Sequence, residues 1–213
     1  MRFQPVGDAA LRIELGDPLR VRAWDAATAD VPGVLARVPA LTALTVFYAP
    51  QVVRYAELCA RLEGLNPTAV APPPGPLHTL PTLYDGPDLA FVAERAGLTP
   101  DEAAALHAEA TYDVQMIGFL PGFPYLGGLS PRLAAPRLPA PRRSVPAGSV
   151  GIGGGLTGVY PLESPGGWRL IGRTPVKLYD PAKEPGILLK VGDRVRFRRV
   201  DAEEFRELAC AST

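Results

Sequence analysis

Between Gly118 and Pro175 glycine and proline recur at almost every turn of the chain, yet aromatic and branched apolar residues stand between them. The run begins GFLPGFPYLGGL, passes through VPAGSVGIGGGLTG and finishes VYPLESPGGWRLIGRTP. A flexible linker is polar and poor in such side chains. Here Phe119, Phe123, Tyr125, Tyr160 and Trp168 are available for burial while the backbone bends sharply. Glycine permits positive φ and close backbone approach, and proline fixes φ. The stretch therefore reads as short strands joined by shaped loops, a rigid frame able to line a ligand site.

The remainder of the 213 residues divides around NPTAVAPPPGP. Its successive prolines favour an extended, semi-rigid spacer. We expect a small α/β domain over 1–70, a Pro-rich linker over 71–76 and a larger domain over 77–213. In the first, strands over Ala9–Leu15, Val34–Val38 and Leu44–Tyr48 alternate with helices over Leu19–Ala29 and Val52–Leu62. Pro18 and Gly64 mark a start and an end. The order strand–helix–strand–strand–helix suggests a ferredoxin-like split βαβ unit. In the second, a strand over His78–Tyr84 precedes helices over Asp88–Ala96 and Pro100–Ala110. Thr99 and Glu102 have the spacing of a capping box. Leu188–Val191 and Arg194–Val200 flank Gly192-Asp193 as a hairpin, and a helix over Asp201–Ala209 closes the chain. Many short strands with Gly/Pro turns indicate a closed barrel or a sandwich, so the fold class is α+β.

Charge and composition narrow the function. The formal net charge is zero, which argues against a general nucleic-acid binder. No segment is long and apolar enough to span a bilayer. Cys59 falls on an apolar helical pattern and Cys210 near the end, which fits a reducing cytoplasm better than a disulfide framework. His78 and His107 have no ligand spacing with each other or with the cysteines, so no metal site is expected.

Three motif-like segments fail on context. Gly153–Gly158 fits G-x-G-x-x-G, but Val159-Tyr160-Pro161 follows where a helix must start, so a tight β-turn is the expectation. Gly167–Thr174 resembles a phosphate loop, yet its interior is strand-like and Pro175 follows. Ala147–Gly151 lacks the first glycine and the helix of a nucleophile elbow, leaving Ser149 as a loop hydroxyl.

The arginines are the better candidates. Arg132, Arg137 and Arg142 each follow a proline at five-residue spacing, a solvated loop or a cationic rim for a carboxylate or phosphate. Arg142 and Arg143, beside the VPAG turn, are the best placed of these. Arg173, between Gly172 and Thr174 at a strand end, either binds an anion or bridges the barrel mouth. Trp168 serves as packing wall or stacking platform. Tyr160 and Ser164 orient a ligand or fasten their turn. His107 lies late in a helix, where it caps carbonyls or joins a site. The candidate substrate-binding set is Arg173, Thr174, Trp168, Ser164, Tyr160, Arg142, Phe123, Tyr125 and His107, around a small anionic molecule. No catalytic acid or base is assigned.

The segments GFLPGFPYLGGL, RRSVPAGSVGIGG and TGVYPLESPGGWRLIGRTP resemble the family of allophanate hydrolase subunit 1, which includes the Kip inhibitor and the B subunit of bacterial 5-oxoprolinase. The likeness runs through nearly the whole chain. It implies a ferredoxin-like domain followed by a cyclophilin-like β-barrel, without prolyl isomerase activity. It further implies a non-autonomous subunit of an ATP-dependent 5-oxoprolinase, which converts 5-oxoproline to L-glutamate. The implied partners are a homologous, KipA-like protein and a LamB/YcsF-like protein, with ATP bound alongside them. Two alternatives come with the family. One is a KipI-type inhibitor of a sporulation histidine kinase. The other is a carboxyltransferase-like component of a urea carboxylase and allophanate pathway, any biotin then being carried by another protein.

Overall fold

Asp17 accepts a hydrogen bond from the Leu19 amide (2.6 Å) and Pro18 occupies the first helical position, so the first helix starts where its sequence says it should. The computed structural model describes residues 2–65, 67 and 73–211. Their contacts divide the chain into two units, Met1–Pro74 and Gly75–Thr213. Part of the expected linker, residues 71 and 72, lies outside the described residues. Gly75 and Pro76 are held by backbone bonds to Gly192 and Arg194.

The first unit contains β1 (Arg2–Val6), β2 (Ala10–Glu14), α1 (Pro18–Ala27), β3 (Val34–Pro39), β4 (Ala43–Tyr48) and α2 (Tyr55–Glu63). The sheet runs β1-β2-β4-β3 with every pair antiparallel. Strand β4 thus lies between β2 and β3, which α1 connects. Leu11, Ile13, Leu44 and Val46 point to one face and pack with Val21, Trp24, Leu58 and Leu62. Strand β1 has no counterpart in the sequence reading. Gln4 and Pro5 obscure its alternation, and proline is tolerated there because β1 is an edge strand. Cys59 is half-buried against this core and Cys210 is exposed; both are free thiols.

The second unit contains β5 (Leu77–Thr82), α3 (Leu89–Ala96), α4 (Pro100–Glu109), β6 (Thr111–Ile117), β7 (Pro124–Gly127), β8 (Arg142–Val145), β9 (Ser149–Gly153), β10 (Leu156–Val159), β11 (Ser164–Gly166), β12 (Arg169–Arg173), β13 (Arg194–Arg199) and α5 (Ala202–Ala211). Seven strands form one sheet, ordered β12-β9-β10-β7-β6-β13-β5. Leu83 and Arg173 exchange two backbone hydrogen bonds of 2.9 Å, bringing the β5 end of the sheet round to β12. The result is a nearly closed barrel in a mixed α/β chain. Its interior is filled by Leu80, Tyr112, Val114, Leu126, Val150, Ile152, Val159, Ile171, Val195 and Phe197. Strands β8 and β11 pair as a separate two-stranded ribbon.

The capping box is present: the Thr99 side chain and Glu102 bond each other's backbone amides, which also holds the Glu102 carboxyl below its ordinary range. Gly154 (φ +67°) and Gly155 form the two-residue turn joining β9 to β10, so the G-x-G-x-x-G segment is a hairpin. The expected hairpin at Gly192-Asp193 needs correction. The turn exists, but residues 188–191 are not a strand. Strand β13 instead pairs with β6 antiparallel and with β5 in parallel. The Gly-Asp turn suggested the arm, and long-range pairing took the strand elsewhere. No helix among the described residues is long and apolar enough to cross a membrane.

Candidate functional site: an aromatic cavity beside the barrel

A second apolar cluster, outside the barrel core, is built from the loop before β7, the end of β10 and the start of β12. It contains Phe123, Val145, Tyr160, Trp168 and Leu170. The rings meet edge to face: Phe123 with Tyr160 (5.1 Å between centroids), with Trp168 (5.4 Å) and with Tyr125 (5.1 Å). Each such pair adds about 0.5–1.5 kcal/mol beyond its buried area. Glycine makes the arrangement possible. A Cβ on Gly153 would stand 2.5 Å from the Trp168 indole, and one on Gly166 would stand 2.4 Å from the Tyr160 hydroxyl. Both glycines therefore act as space for an aromatic ring.

Over this cluster opens a cavity of about 270 Å³. Its walls are Phe119, Phe123, Tyr125, Tyr160 and Trp168, with Arg137, Pro141 and the Pro165–Gly167 backbone completing the lining. Phe119 corrects the expectation of burial. It is 60% exposed, at φ +71°, the sole positive-φ residue other than glycine among the described residues. That conformation is unfavourable for a bulky side chain by roughly 1–2 kcal/mol. It turns the ring toward Phe123 (5.5 Å) and Tyr160 (6.4 Å), at the open side of the cavity.

The candidate residues separate cleanly by position. Phe123, Tyr125, Tyr160 and Trp168 line the cavity. Ser164 sits one residue before the lining, its hydroxyl donating to the Pro165 carbonyl at 3.2 Å. Arg142 reaches Asp88 (2.7 Å) and the Trp168 carbonyl (3.2 Å). Asp88 is buried and also accepts from the Leu170 amide at 2.7 Å, so Arg142 is fastened to the scaffold behind the tryptophan. Arg173 forms an exposed ion pair with Asp85 (2.8 Å) and lies over the Phe205 ring. Thr174 is buried, its hydroxyl accepting from the Val176 amide. Neither Arg173 nor Thr174 lines the cavity.

His107 is fully buried in the barrel unit, against Tyr112 and Phe197. The Thr157 hydroxyl donates its proton to the Gly151 carbonyl (3.0 Å), so it accepts from His107 Nε2 (2.9 Å). Nδ1 is then bare and accepts from the Tyr84 hydroxyl (2.7 Å). Burial pushes the His107 pKa down to about 3 and the Tyr84 pKa up. His107 is a neutral tie between α4 and the β9–β10 hairpin, away from the cavity.

Of the three proline-preceded arginines, Arg132 donates to the Ala96 carbonyl and Arg142 is bound to Asp88. Arg137 alone of them lines the cavity, its guanidinium 5.8 Å from the centre of the Trp168 ring. Among the described residues it makes no ion pair. Arg143 is exposed on β8. The sequence carried no signal separating Arg137 from its neighbours, because the partners that occupy the others come from α3 and the turn before it. Burial raises the hydroxyl pKa values of Tyr125 and Tyr160, and the Arg137 charge opposes that rise in both. Among the described residues no acidic side chain lines the cavity. Its chemistry is that of a small apolar slot with one positive edge.

A triphosphate does not fit the glycine-rich segments. Gly153–Gly158 is a hairpin, and Gly167–Gly172 runs into β12, so neither presents a ring of free amides at a helix start. The cavity is also below the ~300–1,000 Å³ usual for drug-sized ligands.

Residues 1–189 match the carboxyltransferase domain, subdomain C and D. The chain belongs to this family. It is similar to the B subunit of 5-oxoprolinase from Bacillus subtilis, 39% identical with 96% of this chain and 95% of that protein covered. The Escherichia coli O157:H7 protein of the same name is 41% identical, with 90% and 93% covered. Among solved structures, TTHA0988 superposes at a TM-score of 0.79 and 39% identity, with 91% of this chain covered. The chain spans 40% of that longer protein. The Kluyveromyces lactis urea carboxylase has the same fold at a TM-score of 0.77 and 18% identity, with 99% of this chain and 22% of that one covered.

Proposed function

We propose that this chain is the B subunit of an ATP-dependent 5-oxoprolinase, opening 5-oxoproline to L-glutamate together with partner subunits. The observation that carries the reading is the identity of 39–41% with two proteins of that name, across at least nine-tenths of both partners in each comparison. The small cavity with one positive edge supports it, because 5-oxoproline is a compact ring with a single carboxylate. Opening the lactam adds water across a stable amide, and ATP hydrolysis supplies the driving force.

In this reading the chain works with a KipA-like protein and a LamB/YcsF-like protein in the cytoplasm, and ATP binds on a partner. The first unit is a ferredoxin-like variant in which β1 takes the fourth strand position, and the second is a cyclophilin-like barrel. The urea carboxylase likeness, at 18% identity, is a likeness of fold and does not favour a carboxyltransferase reading.

The test is reconstitution. Co-expressed with both partners, the chain should enter a stable complex that releases glutamate from 5-oxoproline only when ATP is present. An assembled ternary complex that releases none, or one that works equally well without this chain, would overturn the proposal.

A further inference from the structure

We propose that the aromatic cavity of this chain is itself the seat of the 5-oxoproline carboxylate, with Arg137 as the residue that reads it. The inference rests on the oxoprolinase reading for the identity of the ligand. The geometry of the cavity supports it independently.

Four observations converge. Among the described residues Arg137 is the one charged side chain in the lining, so the cavity is complementary to a monoanion. The other arginines near it are engaged elsewhere: Arg142 pairs with Asp88, and Arg169 Nη1 lies 3.6 Å from the same carboxylate. The backbone on both sides of Arg137 is fixed. The Pro136 carbonyl accepts from Arg169 Nε (3.1 Å), and the Leu138 amide donates to the Gly167 carbonyl (2.7 Å). A guanidinium mounted on an anchored backbone loses little freedom on gripping a carboxylate with its forked donors. Finally, the Arg137 charge acts on both Tyr125 and Tyr160, so it stands within electrostatic reach of two phenol groups of the lining. Those hydroxyls keep their protons and are available as hydrogen-bond donors to an anion or to a lactam oxygen.

The flat lactam then lies against aromatic walls, with its carboxylate at the Arg137 edge. Phe119, held at positive φ over the open side, forms the wall that the rest of the complex meets. The cavity discriminates by charge. A neutral lactam of the same ring size satisfies the walls and leaves the guanidinium unmatched.

The experiment uses the assembled ternary complex with wild-type chain, Arg137→Ala and Arg137→Lys, with 5-oxoproline as substrate and 2-pyrrolidinone as the uncharged competitor. Arg137 is exposed, and its backbone anchors do not involve its side chain. The expected result is a KM for 5-oxoproline raised at least ~tenfold in Arg137→Ala, the loss of one charge-assisted pair, and partly restored in Arg137→Lys. The KM for ATP stays unchanged, and 2-pyrrolidinone inhibits wild type and variants equally. An active Arg137→Ala complex with an unaltered KM for 5-oxoproline overturns this inference and leaves the oxoprolinase reading standing. A wild-type complex that assembles without releasing glutamate removes the oxoprolinase reading instead. The cavity is then judged by calorimetric titration of 5-oxoproline into the chain alone. Saturable binding that Arg137→Ala abolishes retains it as a carboxylate site, and absence of binding overturns it.

Discussion

Acidification should destabilise the barrel unit through one residue, His107. Its pKa is about 3 in the folded chain against an ordinary 6.5, because burial in the barrel interior penalises the charged imidazole. The folded value is depressed, so the unfolded chain takes up the proton first as the pH falls. Well above pH 6.5 both states are neutral and the full stability is present. Below it, stability is lost progressively until the folded pKa is reached. The linkage relation gives a loss of about 2 kcal/mol at pH 5 and about 3 kcal/mol at pH 4. The measurement is urea unfolding at about pH 7.5 and about pH 5.0, either side of the ordinary histidine value, with Trp24→Phe as background so that Trp168 reports on the barrel unit alone. Other groups titrate over the same range, so the informative quantity is the difference between this background and the same chain carrying His107→Gln. Glutamine offers one donor and one acceptor toward Thr157 and Tyr84 but does not titrate. Its absolute stability will be lower, yet its drop between the two pH values should be smaller by about 2 kcal/mol. Equal drops in the two proteins would mean that His107 is not held neutral by burial, and the argument for its purely structural place would fail.

Asp88→Ala leaves Arg142 and the Leu170 amide without their shared acceptor behind Trp168, and should lower stability by roughly 3 kcal/mol in urea unfolding. Gly153→Val drives a branched side chain into the Trp168 indole. It should destabilise the barrel unit by about 1–3 kcal/mol and shift the Trp168 emission, while the N-terminal unit melts unchanged. Phe119→Gly relieves a strained φ but loosens the unfolded chain, so stability should stay within about 1 kcal/mol. The same variant should weaken 5-oxoproline use by the complex, seen as a raised KM.

What could be read from the chain was whatever is local. Thr99 and Glu102 specify a cap by spacing alone, and Pro18 marks a helix start; both stand in the structure. Val159-Tyr160-Pro161 leaves no room for a helix after the glycines, and a hairpin stands there in place of a nucleotide fingerprint. The aromatic residues of the Gly118–Pro175 run were legible as a group because so many rings among so many glycines must pack on one another. The choice among arginines was not legible. Asp88 sits 54 residues before Arg142, and Asp85 88 residues before Arg173, so nothing near either arginine announced its occupation. The Leu188–Val191 arm failed for a related reason: a tight turn marks where the chain reverses and not what it pairs with, and β5 and β6 were the partners that β13 took.

The cavity's own chemistry bears on why such a chain would need other proteins. Lactam opening at neutral pH calls for a group that can take a proton from water, or for an activated amide oxygen. The lining supplies phenylalanine, tyrosine, tryptophan, proline and glycine with one arginine. Burial holds the tyrosine hydroxyls above their ordinary range, so they are poor bases at neutral pH. These residues are suited to packing against a ligand and excluding water, and none of them is poised to exchange a proton. The imidazole nearest to that task by chemistry, His107, has both nitrogens committed inside the barrel. Under the oxoprolinase reading, the base and the phosphate chemistry must therefore enter across the open side of the cavity, past Phe119. Crosslinking gives a direct check. A photoreactive phenylalanine analogue at position 119 should capture a partner protein in the active complex, and capture only within this chain would place the proton-transfer groups elsewhere.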